Sequence, residues 1–221
     1  MSEGKFYTPE EVKPLYGQIM PTYQEAFSGE PWYEVSKCAD QIQRCDGGLS
    51  ALQIGSTCST CGNCPSKPAY DQQELESRFD ALGASRSTSW YVEQDETGGV
   101  MLAAVAWSAT ADVIAVDKYA DVPEMSMWLR DTVGQGQIMW LDEVFANRKL
   151  RPAGNLRNFG EMVVGLSTRL NASLVAYRTI APQMTKAPVR SFGKLTTIKS
   201  RKIDVPDRRN FVLINLAKEL K

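Results

Sequence analysis

The sequence predicts a mixed α/β fold in which one central sheet carries helices on both faces. Two apolar runs at 88–93 and 100–108 are separated by a DETGG turn, a pattern typical of an antiparallel hairpin. The later half of the chain alternates strand, helix, strand, helix and strand patterns. The chain has 221 residues, 43% hydrophobic and 23% charged, which fits one substantial globular domain.

The N-terminal region is expected to be helical. Residues 8–11 (TPEE) place a capping threonine before a proline at the first helical position and a glutamate at the third. Apolar residues then recur at helical spacing as far as residue 20, and Pro21 either kinks this helix or begins a second segment at 22–27, which ends at Ser28-Gly29. A further amphipathic helix is expected at 71–82, ended by Gly83.

The elements after the hairpin follow from the same periodicities. Residues 112–118 (DVIAVDK) indicate a short extended segment, Pro123–Val133 a helix and Gln137–Ala146 a strand. The remaining predicted elements are a helix near 156–170, a strand at 173–180, a helix at 183–195 interrupted at Pro188, and a strand pair within 199–216. We expect the helices to cover both faces of the sheet.

All five cysteines lie within residues 36–68, which we interpret as a Cys-rich insertion in a single domain spanning 1–221. Its glycines and prolines leave too few apolar residues for a core of its own, so another interaction must hold it together. Cys58 and Cys61 lie in a C-x-x-C-G knuckle pattern, and we expect Cys38 and Cys45 to complete a set of four sulfur ligands for a structural zinc ion. Cys64 is then either a spare thiol or a substitute for one of the four.

Two alternatives to zinc remain open at this point. The spacing C-x-x-C-x-x-C with a more distant cysteine also suits an iron–sulfur cluster. Unligated or disulfide-bonded cysteines are the other alternative, which a reducing cytosol and the odd number of cysteines disfavour. The chain has no histidine, so any metal site must use sulfur or carboxylate ligands.

A basic loop follows the strand Gln137–Ala146 and leads directly into a helix. Residues 148–209 contain 14 lysines and arginines but only three acidic residues, although the whole chain has a net charge of −1. Helix N-termini and nearby arginines attract phosphate groups, and glycine allows the backbone to approach them. The loop therefore predicts a site for a phosphorylated ligand, with a solvated basic turn as the alternative.

This order of elements resembles the GNAT acetyltransferase superfamily over roughly residues 88–216. Arg151-Pro152-Ala153-Gly154 matches the Arg-x-x-Gly part of that superfamily's pyrophosphate-binding loop, while Leu156 stands where glycine or alanine is usual. The resemblance implies that acetyl-CoA, or another acyl-CoA, is bound by the strand end and this loop. The implied residues are Val144, Phe145, Ala146, Arg151, Ala153, Gly154, Asn155, Leu156 and Arg157.

The resemblance also implies a base on this strand and an acid in the last helix. Alternation along the strand lets at most one of Asp142 and Glu143 face the cleft, and we favour Glu143 as the base. A surface position or a pairing with Arg130 is the alternative for either carboxylate. Phe192 falls where many members have the tyrosine that protonates the leaving thiolate, which leaves Ser191 as the candidate, with Tyr177 as a second substitute.

The function implied is acyl-CoA-dependent N-acylation of a small-molecule or protein amine, by direct attack on the thioester. The alternative is a non-catalytic zinc-containing module that binds nucleic acid or a protein partner. For the enzyme we do not expect a nucleic-acid partner. No apolar run approaches the length of a membrane span and the N-terminus lacks the pattern of a secretory signal, so we expect a cytoplasmic protein.

Overall fold

The structure is a computed structural model that describes most of the chain. It describes residues 3–29, 32–39, 51, 53–58, 61–62, 64–120, 122–134, 136–147, 158–179, 181–192, 197–202 and 210–216. Within these ranges no helix is both long and apolar enough to cross a bilayer.

The described residues form strands and helices in mixed order along the chain. The strands are β1 Glu3–Tyr7, β2 Ser36–Cys38, β3 Ser66–Pro68, β4 Thr88–Gln94, β5 Val100–Thr110, β6 Gln137–Ala146, β7 Leu174–Thr179, β8 Thr197–Lys202 and β9 Asn210–Asn215. The helices are α1 Pro9–Val12, α2 Tyr16–Ser28, α3 Gln72–Ser85, α4 Ala111–Tyr119, α5 Pro123–Val133, α6 Phe159–Arg169 and α7 Pro182–Phe192, with a 3-10 turn at Lys13–Leu15 between α1 and α2.

Seven strands form one mixed sheet in the order β1-β4-β5-β6-β7-β9-β8. The β6–β7 pair is parallel and the other five pairs are antiparallel. The predicted mixed sheet and the hairpin of β4 and β5 are thus confirmed. β2 and β3 form a separate antiparallel pair in the Cys-rich segment.

Helices cover both faces of the large sheet, as predicted. α6 and α7 pack on one face, while α1, α2 and α3 cover one part of the opposite face and α4 and α5 another part. Strand β5 shows the division: Leu102, Ala104 and Ala106 belong to the α6–α7 core, and Ala103, Val105 and Trp107 to the other two. This alternation is that of a strand buried on both sides.

The expected extended segment at 112–118 is wrong, because these residues belong to helix α4. The Thr110 side chain accepts a hydrogen bond from the backbone N–H of Val113, which caps the helix. Ile114, Ala115 and Tyr119 are buried, at the spacing of one helix face. The run DVIAVDK is rich in β-branched residues, but its buried positions follow the helical period.

The expected stop at Gly83 is also wrong, since α3 continues to Ser85. A Cβ atom at Gly83 would lie 2.7 Å from Cβ of Pro9 in α1. This glycine therefore permits close approach of α3 to α1 rather than ending the helix. The predicted capping box at the start of α1 is confirmed, because Thr8 and Glu11 exchange hydrogen bonds.

Candidate active site

Strands β6 and β7 separate partway along the sheet. Their parallel pairing joins Ile138 to Leu174, Met139 to Val175 and Trp140 to Ala176. β6 nevertheless continues to Ala146, paired with β5 along its other edge. The β7-facing edge of β6 beyond Trp140 therefore lies outside the ladder, where its backbone groups suit an extended ligand that pairs as a strand does.

A β-bulge at Asp142 accompanies this separation. Val105 of β5 pairs with Glu143, whereas the adjacent Ala106 pairs with Leu141, so Asp142 is the extra residue on β6. A bulge bends its strand and increases the local twist, which explains why β6 leaves β7 here. It also breaks the alternation of side chains between the two faces.

The expectation that only one of the two carboxylates can face the cleft is therefore wrong. Arg78 Nη2 lies 2.6 Å from Glu143 Oε1 and 3.6 Å from Asp142 Oδ2. Both carboxylates point to the face covered by α2 and α3. The expectation assumed an unbroken period of two, and the bulge adds one residue to it.

Glu143 sits in a pocket made by α2 and α3. Tyr23 of α2 donates its hydroxyl to Glu143 Oε1 at 3.3 Å, and Arg78 of α3 donates to the same oxygen. Arg78 also donates from Nη1 to the Tyr23 hydroxyl oxygen at 3.3 Å, which closes a triangle of hydrogen bonds. The ring of Phe145 packs edge-on against Tyr23 and forms the apolar floor beside them.

Burial raises the pKa of Glu143 above its ordinary value, and the neighbouring charge of Asp142 acts in the same direction, while Arg78 opposes both. Only 15% of the Glu143 side chain is exposed, whereas 45% of the Arg78 side chain is. Burial also raises the pKa of Tyr23 well above its ordinary value, so its hydroxyl stays protonated. A carboxylate with a raised pKa is a stronger base, which suits it to take a proton from an amine.

Asp142 has different partners. Its Oδ1 atom accepts from Trp140 Nε1 at 3.0 Å and lies 3.0 Å from Lys118 Nζ. Arg130, the alternative partner considered for these carboxylates, binds Asp112 instead. Asp142 therefore joins α4 to the bulge, and Glu143 is the carboxylate left to the candidate catalytic position.

Part of the predicted acyl-CoA site lies at the end of β6. Phe145 is buried on the α2–α3 side, and Val144 and Ala146 pack against the core on the α6–α7 side. The other predicted ligand-binding residues, Arg151, Ala153, Gly154, Asn155, Leu156 and Arg157, lie outside the described residues. Helix α6 begins at Phe159, just beyond that loop.

The predicted acid, Ser191, is exposed near the end of α7. It lies next to the first turn of α6, since a Cβ atom at Gly160 would be 3.2 Å from Cβ of Ser191. Phe192 is buried in the α6–α7 core. The hydroxyl of Tyr177 donates to the carbonyl of Met184 at 2.7 Å and burial raises its pKa, which makes it the poorer donor to a ligand.

Three of the four predicted metal ligands come together. The sulfur atoms of Cys38, Cys58 and Cys61 all lie within 4.8 Å of one another, and those of Cys38 and Cys61 are 3.9 Å apart. Cys64 is not part of this group, and Cys45 lies outside the described residues. The predicted knuckle turn forms as expected, because Gly62 has φ +69° and donates its N–H to the carbonyl of Cys58.

The sulfur spacing fits a tetrahedral metal ion. Zinc–sulfur bonds of about 2.3 Å place two sulfurs of a tetrahedron about 3.8 Å apart. The distance of 3.9 Å between Cys38 and Cys61 is close to this value and far too long for a disulfide bond. The described part of the segment thus supplies a three-sulfur set that lacks only a fourth ligand.

Sequence reasoning did not find Arg78 or Tyr23. Arg78 lies on the polar side of an amphipathic helix, where a solvated arginine is the ordinary interpretation. Tyr23 lies in the N-terminal helical region, among other apolar positions. They meet Glu143 across 65 and 120 residues of sequence, and local periodicity carries no information about such contacts.

Comparison with solved structures shows which proteins share this fold. Arylalkylamine N-acetyltransferase 2 from Aedes aegypti superposes with a TM-score of 0.55 at 10% identity, covering 97% of this chain and 99% of that one. The polyamine N-acetyltransferase of Drosophila melanogaster, an enzyme that catalyses the formation of N-acetylagmatine, gives 0.50 at 13% identity over 97% and 98% of the two chains. The C-terminal condensation domain of Ebony, in complex with beta-alanyl-dopamine, gives 0.54 at 12% identity over 97% and 98%.

Neither a scan against models of known protein families nor a search of curated protein sequences finds a significant match. The structural likeness alone therefore carries the assignment. The chain has the fold of the GNAT superfamily of N-acetyltransferases, as the order of its elements predicted.

Proposed function

We propose that this protein transfers an acyl group from an acyl-CoA, with acetyl-CoA the first candidate, to an amine. The observation that carries the proposal is the separation of β6 from β7 directly beside Glu143, whose side chain is only 15% exposed. No described strand pairs with the β7-facing edge of β6 beyond Trp140, so this edge can bind an extended acyl donor, and the adjacent carboxylate of raised pKa can serve as a base. The fold and the amine-acylating enzymes that share it support this proposal.

Glu143 is proposed to accept a proton from the acceptor ammonium, directly or through water, so that the neutral nitrogen attacks the thioester carbonyl. Arg78 and Tyr23 keep the receiving oxygen in place. A β6 backbone N–H near Val144 is proposed to donate to the carbonyl oxygen, where negative charge develops. As the carbon–sulfur bond breaks, Ser191, beside the first turn of α6, is the candidate that donates its proton to the departing thiolate and regains one from the nitrogen that has just been acylated.

The donor's phosphates are proposed to bind at the start of α6. The basic loop with Arg151, Gly154 and Arg157 leads to this helix, whose positive dipole end favours phosphate. Most of the rate of such a transfer can come from holding amine and thioester together. The acceptor is proposed to be a small-molecule or protein amine that enters from the α2–α3 side, where Glu143 faces.

We also propose that Cys38, Cys58, Cys61 and Cys45 hold a structural zinc ion. The sulfur distances of the first three support this, and four thiolates would leave no open position for catalysis at the metal. Thiolates of this kind persist in a reducing compartment, which supports the proposal of a cytoplasmic protein. Metal analysis of protein prepared without added zinc distinguishes zinc from an iron–sulfur cluster, which would bring iron and visible absorbance.

Ligand titration tests the donor site before any acceptor is known. Calorimetry with CoA and acetyl-CoA is expected to show saturable binding at one site per chain. An absence of heat and of any thermal shift at millimolar ligand would refute the proposal. Nucleic-acid binding that collapses with added salt, without binding of CoA, would favour the non-catalytic module instead.

A further inference from the structure

Two lysines of the Cys-rich hairpin contact one carboxylate of helix α3. Lys37 of β2 and Lys67 of β3 are direct partners in the hairpin. Both pair with Glu74 of α3, Lys67 Nζ at 2.7 Å from Oε1 and Lys37 with the other oxygen. Two lysines directly opposite each other repel, so Glu74 between them holds the hairpin against the helix.

The same side of α3 leads to Glu143. Arg78 follows Glu74 by four residues, which places both side chains on one side of the helix, one turn apart. Arg78 Nη2 lies 2.6 Å from Glu143 Oε1. A rotation or shift of α3 at Glu74 therefore moves the guanidinium that fixes this carboxylate.

A second set of contacts runs through Tyr70, which lies just after β3. Its carbonyl accepts a hydrogen bond from Gln24 of α2 at 2.8 Å. Its ring packs edge-on against Tyr23, with centroids 5.0 Å apart. Tyr23 in turn donates to Glu143. The hairpin thus reaches both groups that hold the carboxylate, one through α3 and one through α2.

We propose that the hairpin carrying Cys38 is the support that positions Glu143, with Glu74 and Arg78 as positioning residues. The proposal rests on the proposed function for the role of Glu143, but the mechanical link itself does not. Disrupting the sulfur knuckle is then expected to impair reaction with the acceptor amine and to leave acyl-CoA binding unchanged. The proposal assigns the Cys-rich segment a task in the reaction without giving the metal any catalytic chemistry.

Three variants of the intact protein test the link. Glu74→Gln removes the carboxylate shared by the two lysines and keeps its shape. Glu76→Gln is the matched control, because it makes the same change on the same helix, where Glu76 accepts a hydrogen bond only from Gln72 among its described contacts. Cys61→Ser disrupts the sulfur knuckle directly.

Amide hydrogen exchange gives a readout that needs no activity. Glu74→Gln and Cys61→Ser are each expected to speed exchange in Gln72–Ser85, while Pro123–Val133 stays unchanged. Glu76→Gln should leave both helices as in the parent protein. If Cys61→Ser changes exchange only within residues 36–68, or if Glu74→Gln behaves as Glu76→Gln does, the link is refuted.

Steady-state kinetics then test whether loosening the hairpin impairs the function proposed for Glu143. Glu74→Gln is expected to lower kcat/KM for the amine about 3- to 30-fold, with acetyl-CoA affinity unchanged. Its effect should be smaller in the Cys61→Ser background, because both changes loosen one support. Full independence of the two effects would overturn the proposal. Failure to bind acetyl-CoA at all would refute the proposed function instead, while the exchange result still decides the link.

Discussion

Replacing Glu143 by glutamine is the sharpest perturbation of the candidate site. Glutamine keeps the volume and one oxygen for Tyr23 and Arg78, so the pocket is expected to retain its shape. The charge and the ability to accept a proton are lost. General-base catalysis contributes about 10²- to 10⁴-fold to such reactions, so kcat should fall by that factor while acetyl-CoA affinity stays within about twofold.

The pH dependence gives a second, independent measure of the same residue. The base must be ionised to work, so activity should rise with pH through the pKa of Glu143 in the folded protein. That pKa lies above the ordinary 4.5, because burial and Asp142 raise it more than Arg78 lowers it. Among the described residues, the titratable groups that face Glu143 are Tyr23, Tyr70, Arg78 and Asp142. We therefore expect the activity of the parent protein to fall on the acidic side of its pH profile at a pH above the ordinary pKa of a glutamate. This acidic decrease should be absent from Glu143→Gln.

The same shift has a consequence for stability. A carboxyl group whose folded pKa is raised contributes stability that is present below its unfolded pKa and is lost as pH rises through the folded pKa. Above that folded pKa the ionised Glu143 therefore lowers stability, and Glu143→Gln should not melt below the parent in that range of pH. The assay is initial-rate kinetics from pH 5 to 9 with melting curves alongside, using Glu124→Gln, an exposed change on α5, as control. A Glu143→Gln protein with parental kcat and an unchanged acidic limb would refute the assignment of Glu143 as base.

Three further perturbations have defined outcomes. Cys61→Ser should lose the bound metal and melt at a lower temperature. Cys64 lies outside the three-sulfur group, so Cys64→Ser should keep the metal. Metal analysis and melting curves of the two variants measure these outcomes. Gly83→Ala should destabilise the protein by about 1 kcal/mol in urea unfolding, because the new methyl group meets α1, whereas Gly17→Ala meets open space and should be neutral or stabilising. Ser191→Ala should lower kcat about 10-fold or more, most strongly at high pH, if its hydroxyl protonates the thiolate.

Each of these three has an outcome that contradicts it. Equal metal loss in Cys61→Ser and Cys64→Ser would place the ion elsewhere among the sulfurs. A Gly83→Ala protein as stable as Gly17→Ala would show that α1 yields to the added methyl group. An unchanged rate for Ser191→Ala at every pH would leave the thiolate to be protonated by water.

The elements predicted from the sequence are those whose pattern is local. The strand Gln137–Ala146 and the helix Pro123–Val133 were predicted with the bounds that the structure gives them. The segment 112–118 was predicted wrongly because its β-branched residues favour a strand, whereas the cap at Thr110 and the core under α4 favour a helix. The edge strand Glu3–Tyr7 was not predicted, since a short polar strand depends on its partner β4.

The features of the candidate site that could be predicted are likewise those with a local sequence pattern. The sulfur knuckle could be predicted because C-x-x-C-G is a recognisable local pattern, and Glu143 could be proposed because the strand that carries it could be predicted. The bulge at Asp142 could not, because a register shift depends on the partner strand and leaves no mark in the composition of β6. Arg78 and Tyr23 reach Glu143 only after three separate elements have packed together.

The most direct test of the account is transfer itself. Purified protein is incubated with acetyl-CoA and a panel of polyamines, arylalkylamines and Lys-bearing peptides, and the amines are then analysed by mass spectrometry. The account predicts a mass gain of one acetyl group on at least one class of amine, with stoichiometric release of CoA and loss of both in Glu143→Gln. Binding of acetyl-CoA without acetylation of any amine, or equal acetylation by the parent protein and Glu143→Gln, would contradict it.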